Sequence, residues 1–271
     1  MVNTLVQSPE AMAWDNTLRA HTAERFVSTH RITPTLLAKE VNHSERENMS
    51  YVRQHTTIPV PQPRCPHLSS WLVMDLVKGR MLLDCWEAQS SFMRFRIACT
   101  MRVYISQLRR LRGSIPGTVA GGIVSGVLFE HEDRGPFRDF TRFRQYYEMV
   151  SESGWASSVR ARRSIGSVGP LPQPPVMNVG WPLVFTHGDL NLGNIMLSDD
   201  GVLWIVDWET SGFFPPWLET VGLRYYHSAP KSWQRFRSFM AGSHPDYEQL
   251  WDFFMDDVHR YTPSQWSNKT S

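Results

Sequence analysis

Residues 183–209 read LVFTHGDLNLGNIMLSDDGVLWIVDWE, and the fold turns on how this stretch is divided. A short apolar run leads into a polar loop, and a second short strand follows. Asp199-Asp200-Gly201 then makes a turn, and a third strand, Val202–Val206, ends in Asp207. Two polar clusters are thereby delivered to the ends of buried strands. One holds His187, Gly188, Asp189 and Asn194, and the other is Asp207.

Outward from this core, the residues before it predict the order strand, helix, strand. Thr35–Val41 reads as a strand, with a further short strand at Phe26–Thr29. Ser44-Glu45-Arg46-Glu47 reads as a capping box that opens a helix with Met49 and Val52 on one face. The prolines of Ile58–Pro63 force an extended connection, and Trp71–Val77 is a near-continuous apolar strand closed by Gly79. From Phe92 to Arg112 apolar residues recur at helical spacing, and a glycine-rich loop follows over Gly113–Phe129. A second helix is expected over Phe140–Glu152, a surface insertion over Trp155–Gly180, and helices near Lys231–Ala241 and Tyr247–Arg260.

Composition narrows the function classes. With 41% hydrophobic and 20% charged residues the chain has the makings of a core rather than of a disordered polymer. A formal charge of +2 gives no general reason to expect nucleic acid or anionic lipid as partner. The first residues do not read as a secretory signal and no stretch is long and apolar enough to span a bilayer, so no membrane is expected and a cytoplasmic location is. Cys65, Cys85 and Cys99 have no Cys-x-x-Cys spacing and are read as buried, reduced thiols. Cys65 and His67 lack companions for a metal site. Asp252, Asp256 and Asp257 read as a solvated helix face, with attraction of a cationic substrate as the alternative.

The polar clusters suit phosphoryl transfer. That chemistry needs one carboxylate to orient the attacking hydroxyl, while a carboxylate and a neutral amide oxygen hold Mg²⁺ on the nucleotide phosphates. Asp189 and Asn194 have the Asp-x-x-x-x-Asn spacing of the protein-kinase catalytic loop, and Asp207 falls where the kinase metal-binding Asp lies.

In these features the sequence resembles the aminoglycoside phosphotransferase and choline kinase-like family, in the version common among fungal proteins. Further segments follow the family's order: Glu45-x-x-x-Met49-x-Tyr51-Val52, Thr57–Pro61, Leu72–Gly79, Gln107–Arg112 and Asp207–Glu219. The resemblance implies an α+β, two-lobed protein-kinase-like fold. Its N-terminal lobe is trimmed to a small antiparallel sheet plus one helix and, with the hinge, occupies residues 1–77; a larger, mainly helical C-terminal lobe occupies 78–271. The implied activity is transfer of the ATP γ-phosphate to a hydroxyl of a small molecule, with ATP and Mg²⁺ as cofactors. Asp189 is then the base, Asn194 and Asp207 the metal ligands, and His187 a support of the loop. By the same resemblance Lys39 contacts phosphate and Glu45 is its ion-pair partner, with Glu47 as a competitor. Met74, Asp75, Leu76 and Val77 line the adenine pocket. The first glycine is Gly79, so no glycine-rich phosphate loop precedes Lys39 in this chain. The alternative reading is a repurposed fold that acts without ATP. It is either an enzyme of specialised metabolism in which Asp189 or His187 moves protons, or a binding protein without catalysis. The sequence leaves the acceptor and the oligomeric state open.

Overall fold

Two short strands, β1 (Thr29–Thr33) and β2 (Leu36–Glu40), fold back on each other through a turn at Pro34-Thr35. The computed structural model describes residues 7–13, 29–40, 44–65, 68, 70–121, 123–130, 132–166, 169–175, 180–224 and 229–260. The expected strand at Phe26–Thr29 lies outside these except for Thr29, which opens β1. β2 also pairs antiparallel with β4 (Trp71–Asp75), and the two-residue β3 (Pro63–Arg64) adds to the far edge, giving the order β1-β2-β4-β3. Pro63 has no N–H to contribute, which suits it to an edge. One face of the sheet carries Ile32, Ala38 and Val73, with Ala38 directly opposite Val73. The neighbouring pair, Lys39 opposite Leu72, lies on the other face by the two-residue period of a strand.

The helix expected after β2 is α1 (Glu45–His55), which buries Glu45, Asn48, Met49 and Val52 at helical spacing. The capping box does not form. Ser44 already has helical dihedrals (φ −112°, ψ −11°), whereas a capping serine needs an extended backbone to reach the third amide, and its side chain makes no capping bond. Glu47 is exposed.

The chain divides into two compact units: Met1–Ser90 with Leu192–Glu209, and Ser91–Asn191 with Thr210–Ser271. The first therefore also contains a three-stranded antiparallel sheet, β5 (Gly79–Met81), β7 (Ile195–Ser198) and β8 (Leu203–Ile205), in the order β5-β7-β8. A short helix, α2 (Leu82–Cys85), follows β5.

The second unit is mainly helical. It contains α3 (Ser91–Leu108), α4 (Phe140–Ser164), α5 (Trp217–Arg224), α6 (Lys231–Gln234), α7 (Arg237–Ala241) and α8 (Pro245–Asp257), and a two-stranded sheet of β6 (Val184–Thr186) with β9 (Gly212–Phe214). Its core is aromatic: Phe129 sits within ring-contact distance of Phe143, Phe214, Trp251 and Phe254. Val124, Leu128 and Phe129 come from the glycine-rich segment, so part of that loop is core.

The expected helix ends differ in instructive ways. α3 stops at Leu108, after which tighter turns lead to Gly113. α4 runs 12 residues past the expected end at Glu152, so Trp155–Ser164 is helix and the insertion begins later. Glycine is disfavoured inside a helix, but Gly154 permits a crossing: a Cβ there would lie 1.9 Å from the carbonyl oxygen of Phe253 on α8. The segment Lys231–Ala241 is two short helices rather than one. α8 starts earlier than Tyr247 because Pro245 occupies its first turn, where a missing N–H costs nothing. Strand Trp71–Val77 ends at Asp75. Among the cysteines only Cys85 is buried; Cys65 and Cys99 are half-buried, and all three are free. His67 lies outside the described residues.

Candidate active site

The charged centre of the first unit is built on Lys39. Its Nζ lies 2.6 Å from Asp207 Oδ1, 2.9 Å from Glu45 Oε2 and 3.4 Å from Glu209 Oε2. The Lys39 and Glu45 side chains are 10% and 1% exposed, whereas Asp207 and Glu209 are 43% and 25% exposed. The inner pair is thus fixed and the outer two carboxylates open to solvent. Burial depresses the Lys39 ammonium, but Glu45, then Asp207, then Glu209 outweigh it and its pKa is raised. Burial pushes Glu45 up, an effect that the charge of Lys39 opposes.

Glu45 has a second task. Its Oε1 accepts the backbone N–H of Trp208 at 3.2 Å, and the Asn48 amide donates to the Trp208 carbonyl at 3.0 Å. One face of α1 therefore clamps both backbone groups of the residue between Asp207 and Glu209. Asp207 is held at φ 63°, a left-handed conformation that Asp tolerates better than most residues and that is characteristic of functional positions. The backbone N–H of Val206 donates to the carbonyl of Asn194 at 3.0 Å, which puts Asn194 and Asp207 at the same end of the β7–β8 hairpin. The sequence reading places Lys39, Glu45, Asn194 and Asp207 in this site. It does not single out Glu209 or Asn48. The signal for Glu209 was a second carboxylate two residues beyond Asp207; Asn48 had none beyond its place one turn after Glu45.

Carboxylate oxygens of Glu45, Asp207 and Glu209 lie within 4.8 Å of one another. Three hard anionic oxygen donors with one ammonium among them leave net negative charge. Such a donor set fits Mg²⁺ or a similar hard cation rather than a thiophilic metal.

Met74, Asp75 and Leu76 end β4 and lead toward β5. The Asp75 N–H donates to the Gln62 carbonyl at 3.2 Å and the Leu76 N–H to the Thr35 carbonyl at 2.8 Å, so both amides are engaged within the unit. The Asp75 carboxylate takes Arg64 in a two-pronged pair at 2.8 and 2.9 Å.

The second unit carries His187-Gly188-Asp189 directly after β6. Asn191 Nδ2 donates to Asp189 Oδ1 at 2.8 Å, and the Asp189 N–H donates to His187 Nδ1 at 3.3 Å, which leaves the imidazole proton on Nε2. His187 is fully buried and Asp189 half-buried. The loop rests on α5. Glu219 Oε2 accepts the His187 N–H at 2.7 Å and Oε1 the Gly188 N–H at 3.3 Å. One turn on, Gly222 lets the helix approach: a Cβ there would lie 2.3 Å from the Gly188 carbonyl oxygen. Burial pushes the Glu219 carboxyl up to about 7, against the His187 amide, the charge of Arg109 and the Gly188 amide. The sequence reading names Glu219 only as the end of a motif and gives it no role; Gly222 it leaves out.

On α8 the expected solvated face holds for Asp252 and Asp256, which are exposed, with Asp252 paired to Arg224; Asp257 departs from it, being fully buried and accepting the Ser153 hydroxyl at 2.5 Å.

Residues 131–254 match the model of the phosphotransferase enzyme family. No curated protein matches the sequence. Among solved structures, a variant of aminoglycoside 2'-phosphotransferase-IIIa in complex with GDP aligns with a TM-score of 0.53 at 9% identity, over 96% of this chain and 92% of its own. A thermostable variant of aminoglycoside phosphotransferase APH(4)-Ia with AMP-PNP and hygromycin B aligns with a TM-score of 0.50 at 12% identity, over 84% of this chain and 79% of its own. A choline kinase from Streptococcus pneumoniae gives 0.48 at 11% identity over 97% of both chains.

Proposed function

We propose that this chain belongs with the aminoglycoside phosphotransferase and choline kinase-like family, whose broader phosphotransferase model matches residues 131–254, and that it transfers the γ-phosphate of ATP to a hydroxyl of a small metabolite. The observation that carries the reading is the Lys39 ammonium held between Glu45 and the Asp207–Glu209 pair, because a buried, fixed cation beside solvent-facing carboxylates suits a site for phosphate and a divalent metal.

In this reading Asp207 and Asn194 hold Mg²⁺, and Glu209 adds a further oxygen beside them. The bound metal supplies charge neutralisation on the phosphate oxygens. Glu45 keeps Lys39 protonated and extended from β2, while Asn48 and Glu45 keep the Asp207 turn in its left-handed conformation. Asp189, its rotamer fixed by Asn191, accepts the proton of the substrate hydroxyl as that oxygen bonds to phosphorus and the bond from phosphorus to the ADP oxygen breaks. His187 supports the loop through its Nδ1. With the amides of Asp75 and Leu76 engaged, a purine beside this strand end finds its backbone donor at Val77.

The test is titration with ATP and Mg²⁺ by thermal shift, followed by mass spectrometry of candidate hydroxyl acceptors for an added phosphate. A shift that requires Mg²⁺ and is reduced by Lys39→Ala is expected. No shift at saturating nucleotide, beside an activity that survives nucleotide removal, refutes the proposal.

A further inference from the structure

Helix α3 is apolar on two opposite faces. Ile97, Ala98, Met101, Ile105 and Leu108 are buried in the second unit. On the opposite side Phe92, Phe95 and Val103 are 70%, 50% and 55% exposed. Positions 92, 95, 99 and 103 recur at three- and four-residue intervals, so these side chains form one outward stripe of about 16 Å at the helical rise. Ile115 and Ile123, both 42% exposed, lie a little further along the same segment. An amphipathic surface helix would carry charge of both signs on this outer side.

The stretch of chain that carries the stripe has charge of one sign, with Asp84 and Glu87 exposed just ahead of it. Residues 88–129 contain six arginines (94, 96, 102, 109, 110 and 112), no lysine and no acidic residue. With 28 cations and 26 anions in the whole chain, the remainder holds 22 against 26. The near-neutral total thus hides a cationic segment in an otherwise acidic chain. Arg96 and Arg102 are exposed on the helix and Arg110 and Arg112 just past its end, and Arg102 also donates to the Phe239 carbonyl. Arg102 lies over the Phe239 ring, 4.9 Å from its centroid, and Phe95 meets the same ring at 6.0 Å, so α7 widens the patch with another aromatic side chain.

We propose that the outer face of α3 docks the protein on an anionic bilayer surface, its phenyl groups entering the headgroup boundary and its arginines meeting lipid phosphates and carboxylates. The combination of exposed Phe with Arg along a helix face is what interfacial binding requires. A second copy of this chain fits the face poorly, because the arginines of one α3 would oppose those of the other and the helix itself carries no carboxylate. The inference does not depend on the phosphotransferase reading.

Vesicle flotation of the full chain tests it. At low salt, binding to vesicles of phosphatidylcholine with phosphatidylserine is expected, with little binding to phosphatidylcholine alone and loss at high salt. Phe92→Ser and Arg96→Glu sit on exposed positions and should leave the melting temperature unchanged. Each should weaken vesicle binding by roughly tenfold, about 1.4 kcal/mol. Absence of binding at low salt overturns the proposal, as does equal binding to neutral vesicles or binding that both substitutions spare. Retention on immobilised poly-glutamate without vesicle binding would likewise overturn it and assign the face to an acidic protein.

Discussion

Gly222→Ala is the sharpest probe of how the helix beneath the loop supports chemistry. The added methyl carbon would lie 2.3 Å from the Gly188 carbonyl oxygen, 2.7 Å from its carbon and 3.2 Å from the Asp189 nitrogen, where ordinary contact begins at 3.4 Å. All three atoms are backbone, so no rotamer change relieves the overlap; the loop must lift by about 1 Å, and Asp189 moves with it. With Asp189 as the proposed base, a displacement of that size should lower kcat on the order of 10²-fold, and the overpacking should lower stability by about 1–3 kcal/mol. Gly154→Ala is the control, since its methyl carbon would strike the Phe253 carbonyl at 1.9 Å on the α4–α8 crossing. It should lower the melting temperature at least as much while leaving kcat per folded molecule near wild type. Turnover is read as phosphate transfer to the acceptor found by mass spectrometry, and folded fraction by thermal melting. A Gly222→Ala protein with normal kcat per folded molecule refutes the reasoning, and so does equal loss of kcat in the control.

The remaining predictions concern individual carboxylates. Asp207→Ala should abolish Mg²⁺-dependent nucleotide affinity in calorimetric titration while the fold persists; normal turnover would remove Asp207 from the site. Asp189→Asn should spare nucleotide binding and lower the rate by about 10²–10⁴-fold, the range for losing a positioned general base; loss of binding with the rate intact would reverse the roles of the two aspartates. Glu219, whose carboxyl is pushed from 4.5 up to about 7 on folding, binds its proton more tightly in the folded chain. Its contribution is therefore complete below pH 4.5 and is lost as pH rises through about 7, so folding stability falls across that window. Glu219→Gln should flatten this slope in denaturant melts at several pH values, and an unchanged slope would locate the titration elsewhere.

The parts of the site that were legible in the sequence are those whose geometry is local. Asp189 and Asn194 are separated by four residues, Asp207 follows a three-residue strand paired with the strand after Asn194, and Lys39 and Glu45 flank a single connection. Spacing carries the relation of Asp189 to Asn194, whereas the pairing of Lys39 with Glu45 and their place in one site with Asp207, 168 residues on, come from the resemblance to a kinase-like family. What was not legible depends on contacts between residues far apart in the chain. Asn48 reaches across 160 residues to the Trp208 carbonyl, and Glu219 across 32 to the His187 amide. Nothing in the neighbourhood of either says that its partner is a backbone group rather than water. The glycines show the difficulty most plainly. Local propensity treats Gly154 as a reason to end a helix, because glycine costs backbone entropy there. The second chain segment that needs the space, α8, lies about a hundred residues on, and its closeness overrides the propensity. Gly222 is the same case inside α5. Such a glycine weakens its own helix and is retained for the surface it opens, here against the backbone of the loop that holds Asp189. A mid-helix glycine that precedes or follows a polar loop motif in the same unit is thus better read as a contact point than as a break.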